Sequence, residues 1–265
     1  MKKIFMLFAI LFPVFLYAQT DVVSLVREGK FNEARNDLQV KIENGDLSFE
    51  TLEMLGNVTF QISESKGSKK NIIELIDWAM PVLEKNAFRQ DFSSAQQARI
   101  FHKYNTLFAK KAQLQGAAAA LKVLPQIFDN ADKSIALDPD FAEPYFVKVS
   151  VDDEVPTFMG DVAMRRENAK YRMGINIELA LERDPENIYF LSQAAAALMR
   201  RNWSVATREK NAGNAVKNKM LLLSDKEEAR ILLARAVAAY NSKQNPSKIE
   251  TEKYEQALKL QAKLH

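Results

Sequence analysis

The densest set of side chains able to do chemistry is Asp152-Asp153-Glu154, just ahead of Pro156. Three carboxylates could serve acid–base catalysis or hold a cation. General acid–base work needs two carboxyls in unlike environments, one protonated and one ionised. Contiguous residues in a loop share one environment, so the trio is expected to be a water-exposed helix end. The Asp-x-Asp-x-Asp-Gly spacing of an EF-hand loop is missing. Only two histidines occur: His265 is the last residue, and His102 lies one step off an apolar helical stripe. A lone helical histidine is expected to be structural or solvated. With no cysteine and no clustered histidine, a zinc ligand set cannot be assembled. No Gly-x-Ser-x-Gly elbow, phosphate loop or dinucleotide glycine fingerprint appears among the eight glycines. The residues therefore predict a protein that is not an enzyme, with no catalytic residue, no metal and no cofactor.

Binding is the remaining use for the unusual residues. Arg165-Arg166 and Arg200-Arg201 sit near predicted helix ends, and the helix dipole accounts for cations in the last turn at Arg200-Arg201. Alanine runs at 117–120 and 194–197 predict close helix–helix approach and leave room for a groove. Tyr145, Phe146, Phe158, Met159, Tyr189, Phe190 and Trp203 cluster along the chain. Most are expected in the core, where aromatics at helical spacing usually lie. Phe158 and Met159 stand in an aperiodic segment, so they should plug a neighbour or line a pocket. The candidate partner- or ligand-binding residues are Tyr145, Phe158, Met159, Tyr189 and Trp203.

The elements that must position these residues are helical. Ile100, Phe101, Tyr104, Leu107 and Phe108 form one apolar stripe, and Leu232, Leu233, Ala236, Val237 and Tyr240 another. No stretch keeps the period-two alternation of a strand. Ser224 with Glu227 reads as a capping box, as does Ser94 with Gln97. Asp138-Pro139, Asp184-Pro185 and Asn245-Pro246 each place a capping side chain before a proline suited to the first helical position. These marks predict helices over 20–28, 31–44, 48–63, 69–86, 93–113, 116–137, 140–150, 161–183, 187–200, 203–221, 225–241 and 246–263. Short connections then require antiparallel hairpins.

Lys2 and Lys3 precede an uncharged apolar run over residues 4–17 and a small residue, Ala18. That run is shorter than the roughly 20 residues a membrane-spanning helix needs, and the pattern is that of a cleavable export signal over residues 1–18. Residues 19–265 then form a single helical-repeat domain, periplasmic or secreted. The formal charge of +3 falls to +1 once Lys2 and Lys3 leave with the signal, too little to draw nucleic acid or anionic lipid. Without cysteine the domain can carry neither disulfides nor a lipid-attachment site.

Ser134-Ile135-Ala136-Leu137-Asp138-Pro139 is echoed 46 residues later by Ala180-Leu181-Glu182-Arg183-Asp184-Pro185. Each is followed by paired aromatics, Tyr145-Phe146 and Tyr189-Phe190. The small-apolar-x-x-Asp-Pro ending resembles the tetratricopeptide repeat, and Gly-Lys-Phe-Asn-Glu-Ala at 29–34 resembles the turn between that repeat's helices. The standard period is near 34 residues; here an insert, Val155-Pro156-Thr157-Phe158-Met159-Gly160-Asp161, separates the echoes. Proline, aromatic and Gly-Asp in this order resemble the irregular repeat of the T components of TRAP transporters, with one glycine, Gly160, where that family often carries two. The fold expected is an all-α solenoid of antiparallel hairpins in degenerate tetratricopeptide-like repeats. Its expected role is a scaffold binding an envelope protein or peptide. The TRAP resemblance implies an alternative: an accessory uptake subunit holding a small apolar ligand in a channel beside Phe158 and the alanine runs, with a solute-binding protein as partner.

Overall fold

A computed structural model describes residues 21–65, 67–154, 169–212 and 223–264. The protein is all-α, with twelve helices and no strand among the described residues. They are α1 (Val22–Glu28), α2 (Phe31–Glu43), α3 (Phe49–Glu64), α4 (Lys69–Asn86), α5 (Ser94–Gln115) and α6 (Ala117–Leu137). The second half contributes α7 (Glu143–Glu154), α8 (Ala169–Arg183), α9 (Ile188–Arg201), α10 (Val205–Ala212), α11 (Asp225–Asn241) and α12 (Lys248–Ala262). Residues 1–18 and the 155–161 insert, with Phe158 and Met159, lie outside the described residues.

Local chemistry sets most boundaries. Ser224 and Ser247 close capping boxes with Glu227 and Glu250, starting α11 and α12. At α5 the box is one residue earlier than expected, Ser93 with Gln96; the Gln97 amide instead donates to the carbonyls of Arg89 and Phe92, both at 3.0 Å. The Asp-Pro and Asn-Pro marks also shift role. Asp138 ends α6, and α7 begins only at Glu143 with Pro144 in its first turn. Asn187 and Ser247, each past the proline, cap α9 and α12. These prolines punctuate the turns between helices, because an X-Pro step holds the preceding residue out of helical geometry. Conversely, Pro81 and Pro125 lie inside α4 and α6.

Most helices pack against a sequence neighbour, save α10, which packs on α8, and a second set of contacts orders them into layers. α1 touches α3, α3 touches α5, α5 touches α7, and α7 touches α9. α9 then meets α12, and α12 returns to α1. At that closure Gly29, at φ +74°, lies under the Lys248 side chain, which a Cβ there would overlap. An open solenoid has free ends; here the ends meet, and α1, α3, α5, α7, α9 and α12 make an inner circuit. The remaining helices pack against members of this circuit, save α10, which packs on α8. Three apolar cores run along the array: Leu25, Leu38 and Val58 in α1–α3; Leu55, Ile76 and Leu107 in α3–α5; Met173, Leu191 and Leu233 in the second half.

α3 and α5 cross closely, so that a Cβ on Gly56 would overlap the Cβ of Lys103. Gly56→Ala should gain about 1 kcal/mol of helix propensity and lose about 2–3 kcal/mol as the helices are forced apart. The expected result is a lower urea midpoint, the opposite of what an uncrowded helical glycine gives.

The sequence echo has a structural counterpart. Pro139 and Pro185 occupy the α6–α7 and α8–α9 turns, and each carbonyl accepts from an arginine of a later helix. Arg183 of α8 donates to Pro139 at 2.5 Å and Arg235 of α11 to Pro185 at 2.7 Å. The paired aromatics meet in the core, with Phe146 stacked on Phe190 at 4.6 Å and edge-on to Tyr189 at 5.9 Å.

Candidate functional site: the polar wall of the inner circuit

Five inner helices bring polar side chains to one wall. α3 ends on Glu64, whose carboxylate pairs with Lys110 of α5. Lys110 also donates to Gln113, one turn on, at 3.1 Å, and the Gln113 amide donates to Glu154, the last residue of α7, at 2.9 Å. α9 contributes Tyr189 from its first turn, and the Lys253 ammonium of α12 lies 4.8 Å from the centre of that ring. A cation over an aromatic face is attracted by the ring quadrupole.

These groups also act on one another electrostatically. Burial, reinforced by Glu64, Glu154 and Glu143, pushes the Tyr189 hydroxyl up to about 12. Burial lowers the Lys253 ammonium against the pull of Glu64 and Glu252, and burial raises the Glu154 carboxyl against the pull of Lys110. Each group is displaced toward its neutral form, as desolvation demands of a charge without a full counter-charge.

Further along the wall, Glu143 at the start of α7 accepts from Lys103 at 2.7 Å and lies 3.3 Å from His102 Nε2. Burial alone would push the Glu143 carboxyl up; Lys103 outweighs it and holds the group well below the usual carboxylate range. His102 is buried edge-on against Phe141, and burial lowers its pKa to about 3. The neutral ring with its proton on Nε2 suits both the Glu143 contact and an Nδ1 that has no hydrogen-bond partner. This has a pH consequence. Below the unfolded-state value of about 6.5 the unfolded chain takes up a proton at this position that the folded chain refuses, so stability present above pH 6.5 is lost on acidification. The expected loss is about 2 kcal/mol between pH 6.5 and roughly pH 5. His102→Gln should flatten that limb of a stability-against-pH curve; an unchanged limb would refute the assignment.

Among the described residues, those singled out from sequence are not gathered into one site. Tyr189 lies on the wall. Tyr145 is core, with its hydroxyl donating to the Pro139 carbonyl at 3.3 Å and Arg183 stacked 4.3 Å from its ring centre. Trp203 sits at the α9–α10 junction under Arg201, 4.6 Å from its ring centre. Phe158 and Met159 lie outside the described residues.

Two expectations about charge are corrected. The acidic trio is a helix end, the last three residues of α7, but later helices cover its two aspartates. Arg172 of α8 grips Asp152 at 2.6 and 3.0 Å, Arg200 of α9 pairs with Asp153, and Lys170 caps the carbonyls of both aspartates at 2.9 and 2.8 Å. Only Glu154 remains exposed. The helix dipole is likewise an insufficient account of Arg201. Its guanidinium is 3% exposed and binds Asp225 through two 2.7 Å bonds, alongside Arg208 and Glu228. Of the alanine runs, 194–197 is buried as predicted, whereas Ala117 and Ala118 are exposed at the start of α6.

No group of histidine and carboxylate side chains among the described residues is arranged to hold a metal ion, and no described helix is long and apolar enough to cross a membrane. No protein-family model matches the chain, and no curated protein matches it either. The class is therefore defined by fold and wall alone: an all-α serial array whose inner circuit carries a polar face.

Proposed function

We propose that the protein is a non-catalytic helical scaffold of the cell envelope that binds a protein or peptide partner along the inner wall. The observation that carries this reading is the convergence of Glu64, Lys110, Gln113, Glu154, Tyr189 and Lys253 from five helices onto one face. Polar groups spread over a stacked array are the usual recognition surface of helical-repeat proteins. The resemblance to tetratricopeptide repeats supports the same use, and the signal-like start of the chain, with cleavage after Ala18, supports export. The uptake-subunit alternative rests on the TRAP-like insert, which lies outside the described residues.

Photocrosslinking tests the docking face. A benzophenone amino acid at Tyr189 should give one discrete adduct in envelope extract, and the same group at Val40, exposed on α2, should not. Equal labelling from both positions, or none from Tyr189, would sink the proposal. N-terminal sequencing of the fractionated protein should begin at Gln19.

A further inference from the structure

α2 ends in a Schellman motif. The Asp46 amide donates back to the Lys41 carbonyl at 2.9 Å and the Gly45 amide to the Ile42 carbonyl at 3.0 Å, the two bonds that define this helix stop. Gly45 is left-handed at φ +86°, with nothing within 4 Å of where its Cβ would be, so backbone conformation alone calls for glycine there. The residue before it, at the C-cap, is Asn44, and both are exposed. None of the other seven of the eight glycines follows an asparagine. Past the motif, Asp46 accepts from the Ser48 amide at 3.1 Å and from the Thr51 hydroxyl at 2.8 Å. The Leu47 carbonyl accepts from Arg89 at 2.7 Å. The turn is thereby tied both to α3 and to the connection between α4 and α5.

An asparagine followed by glycine can be attacked by its own backbone, because no side chain on the next residue shields the amide. The Gly45 nitrogen, its proton passed to water, bonds to the carbonyl carbon of the Asn44 side chain. The bond from that carbon to the side-chain nitrogen breaks, and ammonia leaves. Water then opens the cyclic imide on either side. One opening gives aspartate; the other reroutes the main chain through the side-chain carbonyl and gives isoaspartate. Two features of the turn hold the reaction back. The Gly45 amide is engaged with Ile42, and Asn44 at ψ 3° does not bring that nitrogen over its own Cβ, as the five-membered ring requires. Both restraints are released when the last turn of α2 frays, and helix ends open at little cost. We infer that Asn44 is a site of spontaneous deamidation whose rate is set by fraying of the Schellman turn. The product adds a carboxylate beside Glu43 at the negative end of the α2 dipole, and isoaspartate also lengthens the main chain by a methylene between two helices. Both changes loosen the α2–α3 turn. α2 is not part of the inner circuit, so the inference stands apart from the docking face.

The test is peptide mapping by mass spectrometry of the full chain, aged in mildly alkaline buffer beside a synthetic peptide covering residues 40–49. Asn44 of the folded chain should convert to aspartate and isoaspartate at a rate within roughly a hundredfold of the peptide's. Unfolding the chain in denaturant should bring the two rates together. A greater slowing in the folded chain would mean that the turn opens at a cost above about 2.7 kcal/mol; fraying would not then set the rate, and the inference would be overturned. Asn44→Gln should abolish isoaspartate at this turn, since the larger imide ring closes far more slowly. The substitution keeps Gly45 and a neutral side-chain amide, so its helical circular dichroism should match the parent's. Isoaspartate that forms in the turn despite it would place the chemistry at another residue. After ageing, the parent should unfold at a lower urea concentration than Asn44→Gln treated alike. Equal midpoints, once Asn44 has converted, would refute the loosening of the α2–α3 turn.

Discussion

Asp225→Ala should lower the stability of the protein by about 3–5 kcal/mol, the largest effect expected of any single substitution on its charged groups. Asp225 begins α11 and is 0% exposed. Its carboxylate accepts from both arms of Arg201, from Arg208 Nε at 2.6 Å and from the Trp203 amide at 2.8 Å. Burial alone would push this carboxyl up, but Arg201 and Arg208 with the Trp203 amide hold it below its usual range. Alanine removes the carboxylate that two guanidiniums, each 3% exposed, share. An uncompensated buried charge costs far more than the ion pair itself is worth. For a chain of this length the midpoint of thermal unfolding should fall by roughly 10 °C. Lys70→Ala is the control: that side chain pairs with Glu74 one turn on, both are exposed, and its loss should cost under about 1 kcal/mol. Comparable shifts in the two variants would show that the Asp225 cluster is solvated.

Leu198→Ala should cost about 2–5 kcal/mol, in the upper part of that range. Leu198 is fully buried in the second-half core beside Leu191 and Leu233. The cost of a deleted side chain depends on whether its surroundings can collapse into the void. Here the same helix carries Ala194, Ala195, Ala196 and Ala197, all buried, so α9 already lies close to its neighbours. Short side chains have no reach with which to fill the space. Urea unfolding measures the loss; a change below about 1 kcal/mol would mean that the core around α9 relaxes freely.

Sequence carried the helices further than it carried the site. Segments such as 31–44, 69–86 and 225–241 were legible because apolar period and capping act over four residues, and they agree with α2, α4 and α11 almost to the residue. Errors fell where two local readings competed, as at Ser93 against Ser94, or where proline marked a turn rather than a helix start. Of the three residues proposed for binding that are described, Tyr189 alone is placed on the polar wall. Lys253, Glu64 and Lys110 were missed because nothing in their neighbourhoods distinguishes them from other surface charges. Their spacing holds no motif to find: Lys110 meets Glu64 across 46 residues and Lys103 meets Glu143 across 40.

By itself the sequence determined the all-α class, the helix order, the Asp-Pro echo and the absence of cysteine chemistry. Each depends on composition or on interactions between residues a turn apart. Tertiary structure alone decided that α12 returns to α1, that Asp152 and Asp225 are buried while Glu154 is exposed, and that Lys253 faces the Tyr189 ring. Those outcomes depend on the rotation of each helix about its axis and on small angles summed along the array. A few degrees per helix separate an open array from a closed circuit, and no four-residue pattern records them.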